Sequence, residues 1–371
     1  MAWAIGAGSS GSTPFAPAVG ANAISVMRAG FFVGLLGLAG AVFQGANVSA
    51  AIGRELIVGT TLSPGAATVA LITAALLVAI GVFAGYPIAT AFTVTGAVVG
   101  TGLALGGAPA WGKYTQIATL WVIVPFVGGG TAYGTAVFLR QTNVERVTVP
   151  ALGMIVGALV ANIGFVLLGP AGQSQSIAVT LAAGLPLSPL IGRVVVTLIA
   201  ALLVGALLYR DVALDPERGQ RHFLLALGGL VAFSAGGSQV GLAVGPLLPL
   251  LGDQIPILYL LLGGGIGLLL GSWTGAPRMI KALSQDYSSL GPRRSIAALI
   301  PSFAIAQAAV FFGIPVSFNE IIVSAIVGSG YAAGSAGVSR RKMIFTVLAW
   351  VGSLVLAFVA GYGVYTLVTM L

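Results

Sequence analysis

Residues 6–17 read GAGSSGSTPFAP, and 229 positions further along the chain residues 235–246 read AGGSQVGLAVGP. Both stretches combine closely spaced glycines with proline and small polar residues inside a long apolar context. Glycine and proline are the poorest helix formers, so at this density they predict interrupted helices. An unusual stretch that occurs twice also suggests that the chain repeats itself.

Other landmarks recur at nearly the same separation. The pairs are Gly34 with Gly263, Gly85-Tyr86-Pro87-Ile88 with Gly313-Ile314-Pro315-Val316, residues 97–100 with 325–328, Lys113 with Lys342, and Trp121 with Trp350. Each pair is separated by 228 or 229 residues, and this near-constant offset is not expected by chance. We therefore predict repeat one at 1–146, middle spans with a charged cytoplasmic loop at 147–222, and repeat two at 223–371.

The composition indicates a membrane protein. Of the 371 residues, 58% are hydrophobic and 6% are charged, whereas soluble domains carry about 25% charged residues. This excludes a soluble globular protein, a disordered chain and, despite the net charge of +8, a nucleic-acid binder. The apolar runs are continuous and do not alternate as in a β-barrel. We expect an all-α polytopic membrane protein.

Cutting the apolar runs at charges and at Pro/Gly positions gives about 12 membrane segments. They lie at about 3–26, 30–48, 65–85, 88–106, 115–138, 148–169, 190–209, 223–251, 254–272, 296–313, 316–333 and 343–370. Five fall in each repeat and two between the repeats. Paired, interrupted segments at matching positions are typical of secondary transporters, whose binding sites they form.

Loop charge predicts the orientation of the repeats. With the loops at 140–146 and 210–221 in the cytoplasm, thirteen basic residues lie inside and only Arg54, Lys113 and Arg193 lie outside. The equivalent residues Lys113 and Lys342 then fall on opposite sides, so the repeats are predicted to be inverted. Whether the segments that meet at Pro87 and Pro315 span or re-enter stays open. The expected location is the plasma membrane, with multiple passes.

Four breaks, at 8–17, 85–93, 236–246 and 313–320, are each expected to precede a helix. Helix N-termini carry free N–H groups and about half a positive charge, and they bind anions. The hydroxyl and amide side chains at the breaks are neutral hydrogen-bond donors. The substrate-binding candidates are Ser9, Ser10, Thr13, Thr90, Ser238, Gln239, Ser317 and Asn319. The alternative is that these residues only cap broken helices.

These stretches resemble the signatures of the inorganic phosphate transporter family, which includes phosphate and sulfate permeases. That family carries G-A-N-D-V-A-N in each repeat, followed by P-V-S-T-T/S-H. In this chain the first motif corresponds, in degenerate form, to residues 7–13 and 236–242, and the second to residues 87–92 and 315–320. The resemblance extends along nearly the whole chain. It implies a permease that moves inorganic phosphate by ion-coupled symport, with sulfate or another oxyanion as the alternative substrate.

The chain departs from the family pattern at its charged positions. The family aspartate is replaced by Ser10 and Gln239, its first asparagine by Ser9 and Ser238, and its second by Thr13 and Leu242. In the family, these aspartates are implicated in binding the coupling cation and the substrate. Their loss weakens any Na⁺ site, because hard cations prefer carboxylate and carbonyl oxygens. It should also ease the binding of an ionised anion.

Glu320 stands where the family has histidine, and it is the one carboxylate in a predicted membrane segment. An intramembrane carboxylate is a functional candidate, here as a proton carrier. The alternative is that it caps the start of a helix or faces a cavity. The coupling ion is therefore H⁺ or Na⁺, and we expect a proton gradient to drive uptake more than Na⁺ does.

Two other classes of function were weighed against a transporter. A passive anion channel would need a continuous wet pore. A membrane-embedded enzyme lacks candidate residues, because the chain has no cysteine and its single histidine, His222, lies in a charged loop. We expect no enzyme activity, no cofactor and no bound metal. The predicted partners are phosphate or sulfate and the lipid bilayer, not nucleic acid, and a homodimer is one arrangement the sequence leaves open.

Overall fold

The chain folds into a bundle of helices, seen in a computed structural model that describes residues 1–141, 145–169, 174–334 and 338–370. Up to Gln141 the helices are α1 Ala2–Ile5, α2 Ala16–Gly20, α3 Val26–Gln44, α4 Ala46–Arg54, α5 Pro64–Ala84, α6 Thr90–Ala104 and α7 Trp111–Gln141. After it come α8 Glu145–Asn162, α9 Ile177–Ala182, α10 Pro189–Leu214, α11 Pro216–Val244, α12 Leu248–Leu251, α13 Ile257–Thr274, α14 Ala276–Gln285, α15 Pro292–Phe312, α16 Phe318–Tyr331 and α17 Arg340–Met370.

Within these described residues, nine helices are long and apolar enough to cross a membrane. They are α3, α5, α7, α8, α10, α11 with its extension to Leu251, α13, α15 and α17. The predicted segments at 3–26, 88–106 and 316–333 contain shorter helices instead. Four two-residue strands form two small antiparallel pairs, β1 Ile57–Val58 with β2 Ala108–Pro109, and β3 Gly164–Phe165 with β4 Gln175–Ser176. The protein is thus a mostly helical, multi-pass membrane protein.

The predicted breaks at 85–93 and 313–320 are confirmed. Helices α5 and α15 are both 21 residues long, and each ends at a glycine in the left-handed conformation, Gly85 with φ 74° and Gly313 with φ 61°. Glycine adopts this conformation without the steric cost that a Cβ brings. A proline follows two residues later in both cases, and two further residues separate it from the start of α6 or α16.

The short helix of each predicted repeat packs against a long helix of the other. A Cβ on Gly100 of α6 would collide with the carbonyl of Phe358 in α17. A Cβ on Gly328 of α16 would collide with the carbonyl of Gly129 in α7. Small residues let membrane helices approach this closely. Gly100 and Gly328 are equivalent positions 228 residues apart, so the two contacts correspond.

Two tryptophans make a second reciprocal contact. The indole N–H of Trp121 donates to the carbonyl of Pro315 at 2.9 Å, and the indole N–H of Trp350 donates to the carbonyl of Pro87 at 2.7 Å. Each tryptophan therefore holds the extended break that belongs to the other predicted repeat. The sequence revealed this recurrence but gave no role to either indole.

Helices α7 and α17 run in opposite directions. The start of α7 lies near Glu55, through an ion pair of 2.7 Å with Lys113. The nearby Ser63 hydroxyl lies 3.3 Å from Tyr365 at the end of α17. At the other face, Arg140 at the end of α7 donates to the Ala332 carbonyl, and Lys342 at the start of α17 pairs with Asp286 at 3.0 Å. We call the face with Arg140 and Lys342 the basic face.

The first segment is broken, as predicted. After α1 the chain makes a π-helical turn over Gly6–Ser10, leaves the helix, and forms α2 only at Ala16. The Ser9 carbonyl, released from the helix, accepts the hydroxyls of Ser12 at 3.1 Å and Thr13 at 3.0 Å. The break therefore satisfies its own backbone within a buried stretch.

The predicted break at 236–246 is wrong over most of its length. Helix α11 runs without interruption from Pro216 to Val244, and a 3-10 turn over Gly245–Leu247 follows. The glycines serve helix packing instead: a Cβ on Gly236 would strike the backbone of Gly37, and one on Gly241 would strike the backbone of α4. In a membrane, a helix keeps its backbone hydrogen bonds internal, which outweighs the weak helix propensity of glycine.

The expectation of four helix N-termini needs the same correction. The break after Gly8 leads into a five-residue helix, and Ser238 and Gln239 lie inside α11. Only α6 and α16 present helix N-termini at the predicted breaks. Their first intrahelical bonds are donated by Thr93 and Ile321, so the N–H groups of the three preceding residues lie ahead of the helical ladder.

Candidate functional site: a buried polar cluster between four segments

Three side chains from separate segments form the centre of a buried polar cluster. The Thr90 hydroxyl at the start of α6 donates to Gln239 Oε1 of α11 at 2.7 Å. The Ser9 hydroxyl of the π turn donates to the same oxygen at 3.3 Å, and the two hydroxyls lie 3.3 Å apart. All three residues are 0% exposed. Hydrogen bonding of this kind is what allows polar groups to be buried here.

The two amide side chains link the cluster to the extended breaks. Gln239 Nε2 donates to the Val316 carbonyl at 2.9 Å. Asn319 Nδ2 donates to the carbonyls of Gly8 at 2.8 Å and Ile88 at 2.7 Å. Carbonyl oxygens only accept, so the amide nitrogens must face them. Ile88 and Val316 are equivalent positions, so each break is held by an amide from elsewhere in the cluster.

Three hydroxyls of the predicted site residues are buried without a partner among the described residues: Ser10 Oγ, Ser238 Oγ and Ser317 Oγ. Ser10 is 2% exposed, and the other two are 0% exposed. A hydroxyl can donate or accept, so it can serve an anion or a cation. Leaving such groups unpaired costs about 1–3 kcal/mol each. Natural proteins seldom tolerate that cost without a purpose, and a ligand is one.

Besides the Thr95 hydroxyl of α6, two further oxygens lack partners in the described part of the chain, and they differ in kind. Asn319 Oδ1 can only accept, because the amide nitrogen is already engaged. Glu320 Oε2 belongs to a residue that is 1% exposed and has no ion pair with any described residue. Neither Ser317 nor another residue makes a side-chain cap at the start of α16. The contacts of the described residues therefore do not include a helix cap made by the Glu320 side chain.

The predicted site residues thus fall into two groups. Ser9, Thr90, Gln239 and Asn319 join one hydrogen-bonded cluster, and their neighbours Ser10, Ser238, Ser317 and Glu320 contribute the unpaired atoms. Thr13 is buried, but its hydroxyl is engaged by the Ser9 carbonyl. All of these residues come from the four segments that the sequence singled out.

Sequence reasoning missed a polar row beside the cluster. Gln307 of α15 donates to the Ser234 hydroxyl at 2.6 Å and to Gln44 Oε1 at 3.2 Å. Ser234 lies one helical turn before Ser238, so both face the same side of α11. The available signal was this four-residue spacing, together with two glutamines in predicted membrane segments.

A bundle of membrane-spanning helices with a polar cluster between interrupted segments has the architecture of a secondary transporter. Comparison with known families agrees with this class. The model of the phosphate transporter family matches residues 6–361, and the chain belongs to that family. This match confirms the family resemblance drawn from the sequence. The members of the family are transporters and not enzymes.

Individual relatives match over most of their length. A Thermococcus kodakarensis protein whose name describes a phosphate permease is 26% identical over 94% of this chain and 90% of its own. Inorganic phosphate transporter 2-1, chloroplastic, of Arabidopsis thaliana is 25% identical over 94% of this chain and 67% of its own. A solved structure of "The sodium-dependent phosphate transporter" matches with a TM-score of 0.80 and 23% identity, covering 100% of this chain and 96% of that one. This last likeness shows a shared fold.

Proposed function

We propose that this chain is a phosphate permease of the plasma membrane, a secondary transporter that works by alternating access and ion coupling. The observation that carries the proposal is the meeting of four separate segments in one buried cluster around Gln239. Family membership supports phosphate as the substrate, and the names of the relatives describe phosphate permeases and transporters. Sulfate or another oxyanion is the alternative substrate.

We also propose that the chain consists of inverted repeats at 1–146 and 223–371 around two middle spans at 147–222. The support is the reciprocity of equivalent contacts: Trp121 with Pro315 and Trp350 with Pro87. Opposite directions of α7 and α17 are what a two-fold axis in the membrane plane requires. Such repeats can rock against each other around a fixed central site, which is the basis of alternating access.

The unpaired hydroxyls of Ser10, Ser238 and Ser317 are proposed to bind the anion, together with the N-termini of α6 and α16. Both N-termini contribute free N–H groups and partial positive charge. The amides of Gln239 and Asn319 have a different role in this proposal. Their nitrogens are occupied by backbone carbonyls, so they hold the breaks in position while the hydroxyls receive phosphate.

Coupling is proposed to involve Glu320 and Asn319. A carboxylate buried without a cationic partner needs a proton or a metal cation to neutralise it. A proton on Glu320 is our first choice, because the family aspartates are Ser10 and Gln239 here. Na⁺ is the alternative, since it can take the oxygens of Glu320 and Asn319, and the solved relative is named sodium-dependent.

The test is uptake of radiolabelled phosphate and sulfate into proteoliposomes, with Na⁺ and pH gradients imposed separately. We expect saturable phosphate uptake that responds to an ion gradient and shows counterflow when unlabelled phosphate is preloaded. Saturation and counterflow distinguish a transporter from a passive channel, which would conduct without them. Sulfate uptake that exceeds phosphate uptake under the same gradient would contradict the choice of substrate.

A further inference from the structure

A large cavity of about 1170 Å³ opens at the basic face, well away from the polar cluster. The ends of α7, α11, α15 and α16 surround it, together with residues 21–23 that follow α2. Five arginines line it, against three carboxylates from Glu145, Asp215 and Glu217. The arginines are Arg140, Arg218, Arg221, Arg293 and Arg294. We call this space the arginine cavity.

The lining has a surplus of positive charge, because its five arginines exceed its three carboxylates. Arg293 pairs with Glu145 at 2.6 Å, and Asp215 caps the start of α11 through the N–H groups of Glu217 and Arg218. The side chain of Arg218 has no ion pair or hydrogen bond with any residue in the described part of the chain. Concave, low-dielectric walls with a surplus of one sign of charge focus the field and concentrate ions of the opposite sign.

Orientation in the membrane alone does not require this arrangement. The positive-inside rule is satisfied by any basic residue in a short loop, whereas these five converge on one concavity from three helices. All five are arginines, and neither lysine of the basic face, Lys281 or Lys342, lines the cavity. Guanidinium groups match the geometry of phosphate oxygens and bind them in bidentate fashion.

The cavity is also tied to the elements that carry the central site. Arg221 Nε donates to the Ala23 carbonyl at 2.9 Å, beyond the broken first segment. Arg140 donates to the Ala332 carbonyl at 2.8 Å, at the end of α16. Asn319 and Ala332 lie thirteen residues apart on this path, which is about 20 Å along a helix. The arginine cavity and the polar cluster therefore lie near opposite ends of α16.

We propose that the arginine cavity is a second binding site for inorganic phosphate. The inference rests on the proposed function, since it takes the substrate of the central site as its ligand. The cavity is much larger than the anion and open to solvent, so phosphate binds there as a hydrated ion and more weakly than in a dry site. Among the described residues, the Arg218 guanidinium has no bonding partner, and that of Arg294 bonds only to the Ser289 hydroxyl, at 3.1 Å.

The absence of cysteine from the sequence allows a direct binding test with one introduced thiol. Ala21→Cys places the thiol at the cavity wall, and Ala213→Cys places a control thiol on an exposed part of the basic face outside it. The full-length protein in detergent is treated with a negatively charged thiol reagent, with and without inorganic phosphate. We expect phosphate to slow labelling at position 21 several-fold and to leave position 213 unchanged.

Variants separate the arginine cavity from the central site. The double substitution Arg218→Gln/Arg294→Gln should abolish protection of position 21, and Arg218→Lys/Arg294→Lys should restore part of it. Gln239→Ala disrupts the central cluster and should leave protection intact, even if transport is lost. Protection that survives the double Gln substitution, or disappears in Gln239→Ala, overturns the proposal whether or not the permease assignment holds.

Measurements in lipid vesicles distinguish free phosphate from the phosphate of a lipid headgroup. The same thiol variants are reconstituted in phosphatidylcholine vesicles with and without phosphatidylglycerol. We expect protection to depend on dissolved phosphate in both vesicles and to weaken at high salt, because exposed charges are screened. Protection that appears with phosphatidylglycerol alone, without added phosphate, would assign the cavity to a lipid and contradict our choice of ligand.

Discussion

Residues 6–17 and 235–246 contain matching glycines and prolines, but the chain follows different paths through them. The first leaves the helix after Ser10, whereas the second continues as helix to Val244. Position 14 is proline, and its equivalent 229 residues later is Ala243. Proline lacks the N–H that would bond to residue i−4 and its ring clashes with that carbonyl, so Pro14 disfavours a continuous helix where Ala243 permits one. Pro14 acts together with Gly11-Ser12-Thr13, which stand opposite Val240-Gly241-Leu242, since α7, α8 and α15 each contain a proline without ending there.

The difference gives the two segments different tasks in the cluster. The broken segment brings backbone groups to the centre, including the Gly8 carbonyl that accepts from Asn319. The continuous segment brings a side chain, Gln239, whose oxygen and nitrogen both bond across segment boundaries. The broken segment therefore contributes the Gly8 carbonyl beside the Ser9 hydroxyl, whereas the continuous segment contributes the side chain of Gln239.

The largest effect is expected from exchanging proline and alanine at positions 14 and 243. Ala243→Pro should break α11 and cost about 3 kcal/mol or more, because the substitution removes an interior hydrogen bond and introduces a clash. We expect loss of folded protein, measured by size-exclusion profile and thermal unfolding in detergent. Pro14→Ala is the matched control, since that position is already outside a helix. Equal losses from both substitutions would contradict the role given to Pro14.

The next effect concerns Gln239 against its equivalent, Ser10. Gln239→Ala removes the acceptor of Thr90 and Ser9 and the donor to Val316. A buried group left unpaired costs about 1–3 kcal/mol, and 1.36 kcal/mol is a factor of ten in rate. We expect phosphate uptake to fall by about ten- to a hundredfold. Ser10→Ala removes a hydroxyl that bonds to no described residue, so it should mainly raise the KM for phosphate.

These two substitutions also test the division of labour in the site. If Ser10→Ala leaves the KM unchanged, the unpaired hydroxyls do not receive the anion. If Gln239→Ala raises the KM without lowering the maximal rate, Gln239 binds substrate directly and does not merely position the breaks. Folding of each variant is checked by its thermal unfolding in detergent.

Part of this site could be predicted from the sequence, and part could not. The breaks at Gly85 and Gly313 were predictable because a glycine followed by a proline stops a helix wherever it occurs. The roles of Asn319 and Gln239 were not, because their partners are the carbonyls of Gly8, Ile88 and Val316, which every residue type possesses. The sequence therefore indicated amide donors for an anion, whereas in the folded chain those donors bond to backbone carbonyls.

The break predicted within α11 shows the opposite error. Glycines at 236, 237 and 241 were interpreted as helix breakers, although each lies against the backbone or side chains of α3 or α4. Which of the two roles a glycine has depends on a partner helix that lies about 190 or 200 residues away in the chain. Pro14 against Ala243, and Gly11-Ser12-Thr13 against Val240-Gly241-Leu242, were the sequence differences that could have distinguished the two segments.

A smaller effect is expected at the position where the repeats differ in charge, Phe92 against Glu320. If Glu320 carries the coupling proton, Glu320→Gln should abolish the response of uptake to an imposed pH gradient and leave phosphate counterflow largely intact. Counterflow persists because exchange of substrate needs no net movement of the coupling ion. Strict Na⁺ dependence of the unmodified protein, with no response to pH, would instead favour a cation site on the oxygens of Glu320 and Asn319.

The smallest effect should come from the two indole contacts, which test how equivalent the repeats are. Trp121→Phe and Trp350→Phe each remove one N–H donor to a proline carbonyl in the other repeat. A hydrogen bond of this kind contributes about 1 kcal/mol, and phenylalanine retains an aromatic ring at each position, which at position 121 can still stack on Phe92. We expect both variants to unfold at slightly lower temperature in detergent, with the larger shift for Trp350, which is only 5% exposed. A shift in one variant alone would mean that only one of the two indole hydrogen bonds stabilises the protein. The two contacts would then be equivalent in geometry but not in their contribution to stability, which would weaken the support for inverted repeats.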